Sequence, residues 1–449
     1  MNIGSNLLKN FVKDINLNHL KNKLNGKYVD AKINNQNLQK NILNFYDKNT
    51  ISPYLPVAAK GPWILTNKSN IIYDAGGYGM LGYGHNPQWL LDTMHKEHVM
   101  ANVMTPSLEG YKMTEKLKSM IGHNSCPYHK FAFLNSGSEA MELAGRIIDT
   151  NANKNKGKRS KYIVLKNGFH GRTSNAALFS NSCKKSYDMK LKSFSYHNMT
   201  ETIDINDIAS FNSKFTSLID NQYIIDAIIM EPVMGEGNPG IQLTPEFYKQ
   251  VRKISDYFNI PLVIDSVQAG IRTNGCLSIT NYPGFEELDK PDMEIFSKAI
   301  SSGHYPLSVL AMKEKMANIY QIGTYGNTMC ANPKALDIGF ETLNKLTPEV
   351  SKNIINQGYN FKKMLEDLGD KYPNIINNVT GTGLLLAAHI NNDIPVVGNN
   401  KLETQCRLNG LNIIHGGENA IRFTPWFLIN EIEIELIKNL LEKTFIEYK

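Results

Sequence analysis

Between Lys130 and Met312, short apolar runs alternate with stretches in which apolar residues recur every three or four positions. Phe131–Leu134, Tyr162–Leu165, Ala227–Met230 and Leu262–Ile264 are near-continuous apolar runs, the pattern of strands buried on both faces. Ser138–Asn151 predicts a helix with Met141, Ala144, Ile147 and Ile148 along one side. A second helix is predicted from Thr244-Pro245-Glu246, where a side-chain cap precedes a proline in the first turn, and it carries Phe247, Val251, Ile254 and Phe258 at helical spacing. Strands alternating with helices in this way predict an α/β chain with a mostly parallel sheet covered by helices. After Thr347 the pattern changes: a long helical stretch from Val350 to Leu368, the run Gly381–Leu386 and a helix near Glu431–Phe445 predict a smaller α+β domain. At the other end, Leu7, Leu8, Phe11, Val12 and Ile15 recur at roughly helical spacing and predict an amphipathic arm. The expected organisation is an arm and part of the small domain over 1–90, a large domain over 91–345, and the rest of the small domain over 346–449.

Composition narrows the function classes. The 449 residues are 42% hydrophobic and 20% charged, ordinary globular usage for a chain that can bury a large core. A formal net charge of +6, spread without a dense basic block, argues against nucleic acid as partner. Five widely spaced cysteines without a Cys-x-x-Cys argue against a disulfide framework or zinc ribbon and for a reducing, cytoplasmic setting. No apolar run approaches the length of a membrane span, and neither a secretory core nor an arginine-rich leader is visible.

Two charges stand at the ends of expected buried strands: Asp265 closes Pro261–Asp265, and Lys298 follows Met293–Ser297 ahead of a turn at Gly303. Charges are rarely buried without a partner or a task. One task for such a pair is holding pyridoxal phosphate, the lysine as a Schiff base at the aldehyde and the aspartate at the ring nitrogen. An aspartate at this place could equally bind a metal or a ribose hydroxyl, although no His or Cys cluster accompanies it. Asn135–Ala140 joins a strand to a helix through small residues, so it suits a phosphate or serves as an ordinary turn. Gly168–Thr173 offers an aromatic ring and a guanidinium, with His170 readable as a core histidine. Glu231–Gly237 brings two carboxylates to a strand end and a glycine turn. Gly77–Gly82 spells Gly-x-Gly-x-x-Gly, but Tyr83–Pro87 cannot open the helix that a dinucleotide fingerprint needs.

Taken in order, Asp74–Gly77, Gly84–Pro87, Asn135–Ala140, Phe169–Thr173, Glu231–Gly237, Asp265–Gln268, Lys298 with Gly303–Ser308, and Thr328 with Asn332-Pro333 resemble the class III aminotransferases. The resemblance spans about residues 50 to 445. It implies a fold type I pyridoxal-phosphate transferase: an α/β chain with a mostly parallel seven-stranded-type sheet flanked by helices, and a smaller α+β domain from the N- and C-terminal segments. It implies pyridoxal 5'-phosphate as cofactor, an amino donor (an ω-amino or diamino acid) and an oxo-acid acceptor such as 2-oxoglutarate as substrates, and a homodimer with shared active sites.

Position by position, the resemblance assigns Gly137 and Ser138 to the phosphate-binding turn and Phe169 to the ring face. It assigns Asp265 to the ring nitrogen, Val267 to the other ring face, Gln268 to the ring hydroxyl and Lys298 to the Schiff base. Thr328 matches a phosphate ligand given across the dimer, Arg172 a distal-carboxylate site, and Glu236 with Arg422 the gate that admits glutamate. Lys298 and Asp265 are the expected catalytic residues, and no metal is implied. The chain departs from the family pattern at Ser266, usually an acid, at Met234, at Asn238-Pro239, at Thr380, and in Tyr325–Ala331, a loose version of His-Gly-Ser-Thr-aromatic-x-Gly. These departures mark a divergent member. A racemase, epimerase or aminomutase would use the same lysine and aspartate, and a non-catalytic binding protein would need neither.

Overall fold

The structure, a computed structural model, describes residues 40–43, 45, 51–68, 70–77, 79–100, 105–194 and 198–448. The helical spacing at Leu7–Ile15 lies outside the described residues. The chain divides into two compact units, one from the described residues of Met1–Gln88 with those of Asn353–Lys449, the other from Trp89–Lys352. Among the described residues, no helix is long and apolar enough to cross a membrane. The five cysteines are all free thiols.

The first unit begins with three antiparallel strands, β1 (Pro56–Lys60), β2 (Trp63–Thr66) and β3 (Ile71–Asp74). Asp74 ends β3 with its carboxylate turned back on the following loop. Its Oδ1 accepts from the amides of Gly76 and Gly77, both at 3.0 Å, and from Asn412 Nδ2 at 2.8 Å, while Oδ2 lies 3.0 Å from His85 Nε2. Gly76 and Gly77 are therefore pinned by this carboxylate, and among the described residues the next helix starts only at Gln88.

The second unit is built on a seven-stranded sheet. In chain order its strands are β4 (Lys130–Leu134), β5 (Ser160–Leu165), β6 (Thr200–Ile203), β7 (Ile224–Met230), β8 (Leu262–Asp265), β9 (Met293–Phe296) and β10 (Ser308–Met312). Their spatial order is β4-β10-β9-β8-β7-β5-β6. Neighbours from β9 to β6 pair in parallel, whereas β10 runs antiparallel to both β4 and β9. Helices α1 (Gly137–Ala152) and α2 (Pro245–Tyr257) lie at the expected places. Thr244 caps α2 by accepting from the Phe247 amide, and Pro245 occupies the first turn, where its missing N–H has no bond to lose. The apolar side of α1, Met141, Ala144, Ile147 and Ile148, packs with Val164, Ile229, Val263 and Ile295 of the sheet in one fully buried cluster. Burial on both faces explains why these strands read as continuous apolar runs.

The long helix α3 (Pro348–Lys371) leads back into the first unit. There β11 (Ile376–Thr382), β12 (Leu385–Ile390), β14 (Ile414–Gly416) and β15 (Ala420–Phe423) form an antiparallel sheet in the order β11-β12-β15-β14. The short β13 (Leu411-Asn412) joins β3, and α4 (Glu431–Tyr448) closes the chain.

Candidate active site

Strands β7, β8 and β9 lie side by side and in parallel, so their carboxyl ends share one edge of the sheet. Met230 pairs with Ile264 and Asp265 with Ile295. Glu231 follows β7, Asp265 is the last residue of β8, and Lys298 stands two residues past β9. Ligands in open α/β sheets sit outside this edge.

Asp265 is held from two sides. Its Oδ2 lies 2.7 Å from His170 Nδ1, and its Oδ1 accepts from the Val267 amide at 3.1 Å. Asp265 is 5% exposed and the His170 side chain 0%. Burial alone would lower the pKa of His170, but the hydrogen bond to Asp265, its charge and that of Glu231 raise it above the ordinary histidine value. The sequence allowed His170 a place in the core; the structure makes it the partner of Asp265.

Glu231 ties two loops together. Its Oε1 accepts from the Phe169 amide at 3.0 Å and its Oε2 from the Gly235 amide at 2.8 Å. Burial pushes its pKa up to about 7, against the lowering effect of His170, with Asp265 adding to the rise. The loop of Phe169 and the loop of Glu236 thus share one carboxylate. Gly235 admits the Gln268 carboxamide: a Cβ there would stand 2.0 Å from Gln268 Oε1.

Gly137 opens α1, with Ser136 as its cap, accepting from the Glu139 amide at 3.3 Å. Helix geometry leaves the amides of Gly137 and Ser138 without intrahelical partners. Val267 lies against this turn, because a Cβ at Gly137 would sit 2.8 Å from both Val267 methyl carbons. Ser138 Oγ accepts from the Arg172 amide at 3.3 Å, and Thr173 Oγ1 donates to the Ser138 carbonyl at 3.0 Å. The Arg172 guanidinium carbon lies 5.7 Å from the centre of the Phe169 ring. Glu236 is half-buried and Arg172 exposed. Both act electrostatically on Tyr187, whose pKa is raised to about 12, mainly by burial.

Lys298 is partly buried and adopts a left-handed backbone, φ 49°, as does Ser302 after it. A non-glycine residue in that region costs about 1–2 kcal/mol, which the surrounding packing must offset. Ser297 Oγ donates to the Leu307 carbonyl at 2.8 Å and fixes the entry to this turn. Behind Asp265, on the opposite face of β8, Ser266 Oγ donates to Glu294 Oε1 at 2.6 Å. Glu294 is fully buried and also accepts from Tyr128, Ser278 and the Ile279 amide. Where the resemblance leads one to expect an acid, position 266 thus carries a hydroxyl bound to a carboxylate on the next strand. A charge inside the apolar run Met293–Phe296 was its visible signal.

Gly137, Ser138, Phe169, Arg172, Glu236, Asp265, Val267, Gln268 and Lys298 all belong to the second unit, and the contacts above join most of them in one network. Thr328, in the same unit, is exposed. Arg422 lies in the first unit, buried on β15 opposite Ala387 of β12.

This set fits pyridoxal phosphate: an oriented, buried carboxylate, a lysine on the neighbouring strand end, and helix amides at a glycine turn walled by Val267. Comparison with known proteins agrees. The chain matches the profile described as "Aminotransferase class-III" over residues 45–445. It is 30% identical over 391 residues to the acetylornithine aminotransferase of Vibrio parahaemolyticus, covering 85% of this chain and 90% of that one. It is 28% identical over 395 residues to that of Prochlorococcus marinus, covering 86% and 90%. Among solved structures, the ornithine aminotransferase of Toxoplasma gondii superposes with a TM-score of 0.78 at 22% identity, over 96% of this chain and 98% of that chain. The acetylornithine aminotransferase of Elizabethkingia anophelis superposes with a TM-score of 0.72 at 23% identity, over 91% and 97%. The structural likenesses show the fold, that of the pyridoxal-phosphate aminotransferases. The chain belongs to the class III aminotransferase family, whose members are pyridoxal-phosphate-dependent enzymes acting on an amino donor and an oxo acid.

Proposed function

We propose that this aminotransferase takes its amino group from the terminal amine of a diamino acid or its N-acyl derivative and passes it to 2-oxoglutarate. The carrying observation is the Asp265 carboxylate, set by His170 at 2.7 Å, at the strand edge it shares with Lys298. Bound pyridoxal phosphate supplies the electron sink for the carbanion and carries the amino group between the two substrates. Asp265 would hold the proton on the ring nitrogen, and His170 keeps that carboxylate aimed. Lys298 would hold the cofactor through its amine and, as a free amine, would take the proton from the carbon bearing nitrogen. Gly137 and Ser138 hold the phosphate, Phe169 and Val267 cover the ring faces, and Gln268 binds the ring hydroxyl. Arg172 takes the distal carboxylate of the substrate.

The relatives named for acetylornithine and ornithine support this donor class. The exposure of Thr328 supports a homodimer in which it reaches the neighbouring subunit's phosphate. The free cysteines fit a cytoplasmic setting. The test is a panel of α-amino acids, ω-amino acids, ornithine, N-acetylornithine and diamines, read as glutamate formed from 2-oxoglutarate. Ornithine or its acetyl derivative should lead the panel. Inversion of one amino acid with no acceptor present, or no glutamate from any donor, would overturn the proposal.

A further inference from the structure

The loop carrying Thr328 is fastened to its own chain beside the phosphate turn. Asn327 Nδ2 donates to Glu139 Oε1 at 2.9 Å, and Asn327 Oδ1 accepts from Asn135 Nδ2 at 3.3 Å and from the Met329 amide at 2.9 Å. The second oxygen of Glu139 accepts from the Asn135 amide at 3.0 Å and from the Ser136 hydroxyl at 3.4 Å. Asn135 and Ser136 lead directly into Gly137 and Ser138, and Glu139 follows them in the first turn of α1. The same helix steadies the loop further along: Arg146 donates to the Thr324 carbonyl at 3.3 Å and lies 5.5 Å from the Tyr325 ring centre. At the loop's far end the Ala331 amide donates to the Phe133 carbonyl of β4 at 3.1 Å.

One carboxamide therefore spans the gap between the phosphate turn and the residue next to Thr328, donating from one atom and accepting at another. The serine usual at this place presents a single oxygen and cannot make the same span. We propose that Asn327 is a positioning residue that sets Thr328 by reference to the phosphate turn of its own chain, and so fixes the phosphate ligand that each subunit gives to its partner. This rests on the reading of Thr328 given above. Glu139 is the other half of the device. A carboxylate at position 327 would face it with repulsion, whereas exchanging the two groups restores every donor and acceptor. With the groups exchanged, the carboxamide at position 139 keeps an oxygen for Asn135 and Ser136. The carboxylate at position 327 then accepts from that carboxamide, from Asn135 and from the Met329 amide.

The test equilibrates the holoenzyme and its variants with graded pyridoxal phosphate and, separately, with pyridoxal, which lacks the phosphate. Asn327→Ala should bind pyridoxal phosphate about tenfold more weakly, the loss expected for a hydrogen bond to a charged group. Asn327→Asp should be weaker still, and the double variant Glu139→Gln/Asn327→Asp should return to within about threefold of wild type. Pyridoxal affinity should change in none of them. Wild-type affinity in Asn327→Ala, failure of the double variant to recover, or an equal loss for pyridoxal would each overturn the proposal. Thr328→Ala separates the two readings. If it binds the cofactor normally, the Thr328 reading falls and takes this one with it; if it weakens binding while Asn327→Ala does not, only the role of Asn327 falls.

Discussion

Replacing Glu231 by glutamine should reverse its effect on stability across neutral pH. The carboxyl is buried, accepts from the amides of Phe169 and Gly235, and has a pKa raised from 4.5 to about 7, chiefly by burial. The folded protein therefore binds a proton there that the unfolded chain has already released. Stability from this group is fully present below about pH 4.5 and is lost as pH rises through about 7. At 1.36 kcal/mol per pKa unit the loss amounts to about 3 kcal/mol. Glutamine does not titrate, but its single oxygen can accept from only one of the two amides, and its NH2 group faces the other. Glu231→Gln should thus fall about 1–3 kcal/mol below wild type near pH 5, where one amide has lost its acceptor, and gain on it by about 3 kcal/mol as pH rises to about 8. Glu231→Ala should be worse than either at low pH, because two buried amides lose their acceptor at about 1–3 kcal/mol each. The assay is urea unfolding of the three proteins at a series of pH values, read as differences between them. A wild-type-to-glutamine difference that stays constant, or that turns against glutamine as pH rises, would refute the reasoning.

Other substitutions test neighbouring parts of the site. Asp265→Asn should weaken cofactor binding by about 10- to 100-fold, the value of a hydrogen bond to a charged group, and should abolish turnover; unchanged cofactor titration would contradict it. His170→Phe should destabilise most below about pH 6.5 and progressively less as pH rises through the raised histidine pKa, seen in the same unfolding series; a pH-independent cost would count against the His170–Asp265 pair. Gly137→Ala forces Val267 to move, since the new carbon stands 2.8 Å from its methyls, and should weaken cofactor binding by about 1–3 kcal/mol with little change in fold by circular dichroism. Glu294→Ala leaves Tyr128, Ser266, Ser278 and the Ile279 amide without their common acceptor and should destabilise by about 3 kcal/mol or more in thermal unfolding.

The strands and helices of the larger unit were legible because burial on both faces leaves an apolar run and burial on one face leaves a helical stripe. Leu262–Ile264 and Ser138–Asn151 differ from the observed β8 and α1 by a residue or so at their ends. The turn of β10 against its neighbours was not legible, because a short apolar segment such as Ser308–Met312 carries no mark of its direction. The candidate residues were legible as types at strand ends and as a pattern resembling a family. Their mutual contacts were not. His170 and Asp265 are 95 positions apart in sequence, and nothing in either neighbourhood specifies that a ring nitrogen meets a carboxylate. At Ser266 the sequence shows only a missing acid, because the Glu294 carboxylate bonded to it sits 28 positions away on the adjacent strand. At Asn327 the sequence shows only a loose motif match, because the Glu139 and Asn135 groups that engage both ends of its amide lie far away in the chain.

Lys298 is the residue on which the chemistry of this site turns, as the lysine that would hold the cofactor. Borohydride reduction of the purified enzyme, followed by digestion and mass spectrometry, fixes the cofactor to whichever amine carries it. The mass should appear on the peptide containing Lys298, and Lys298→Ala should carry none while still binding pyridoxal phosphate reversibly. Labelling of a different lysine, or no labelling of an enzyme that turns over, would contradict it.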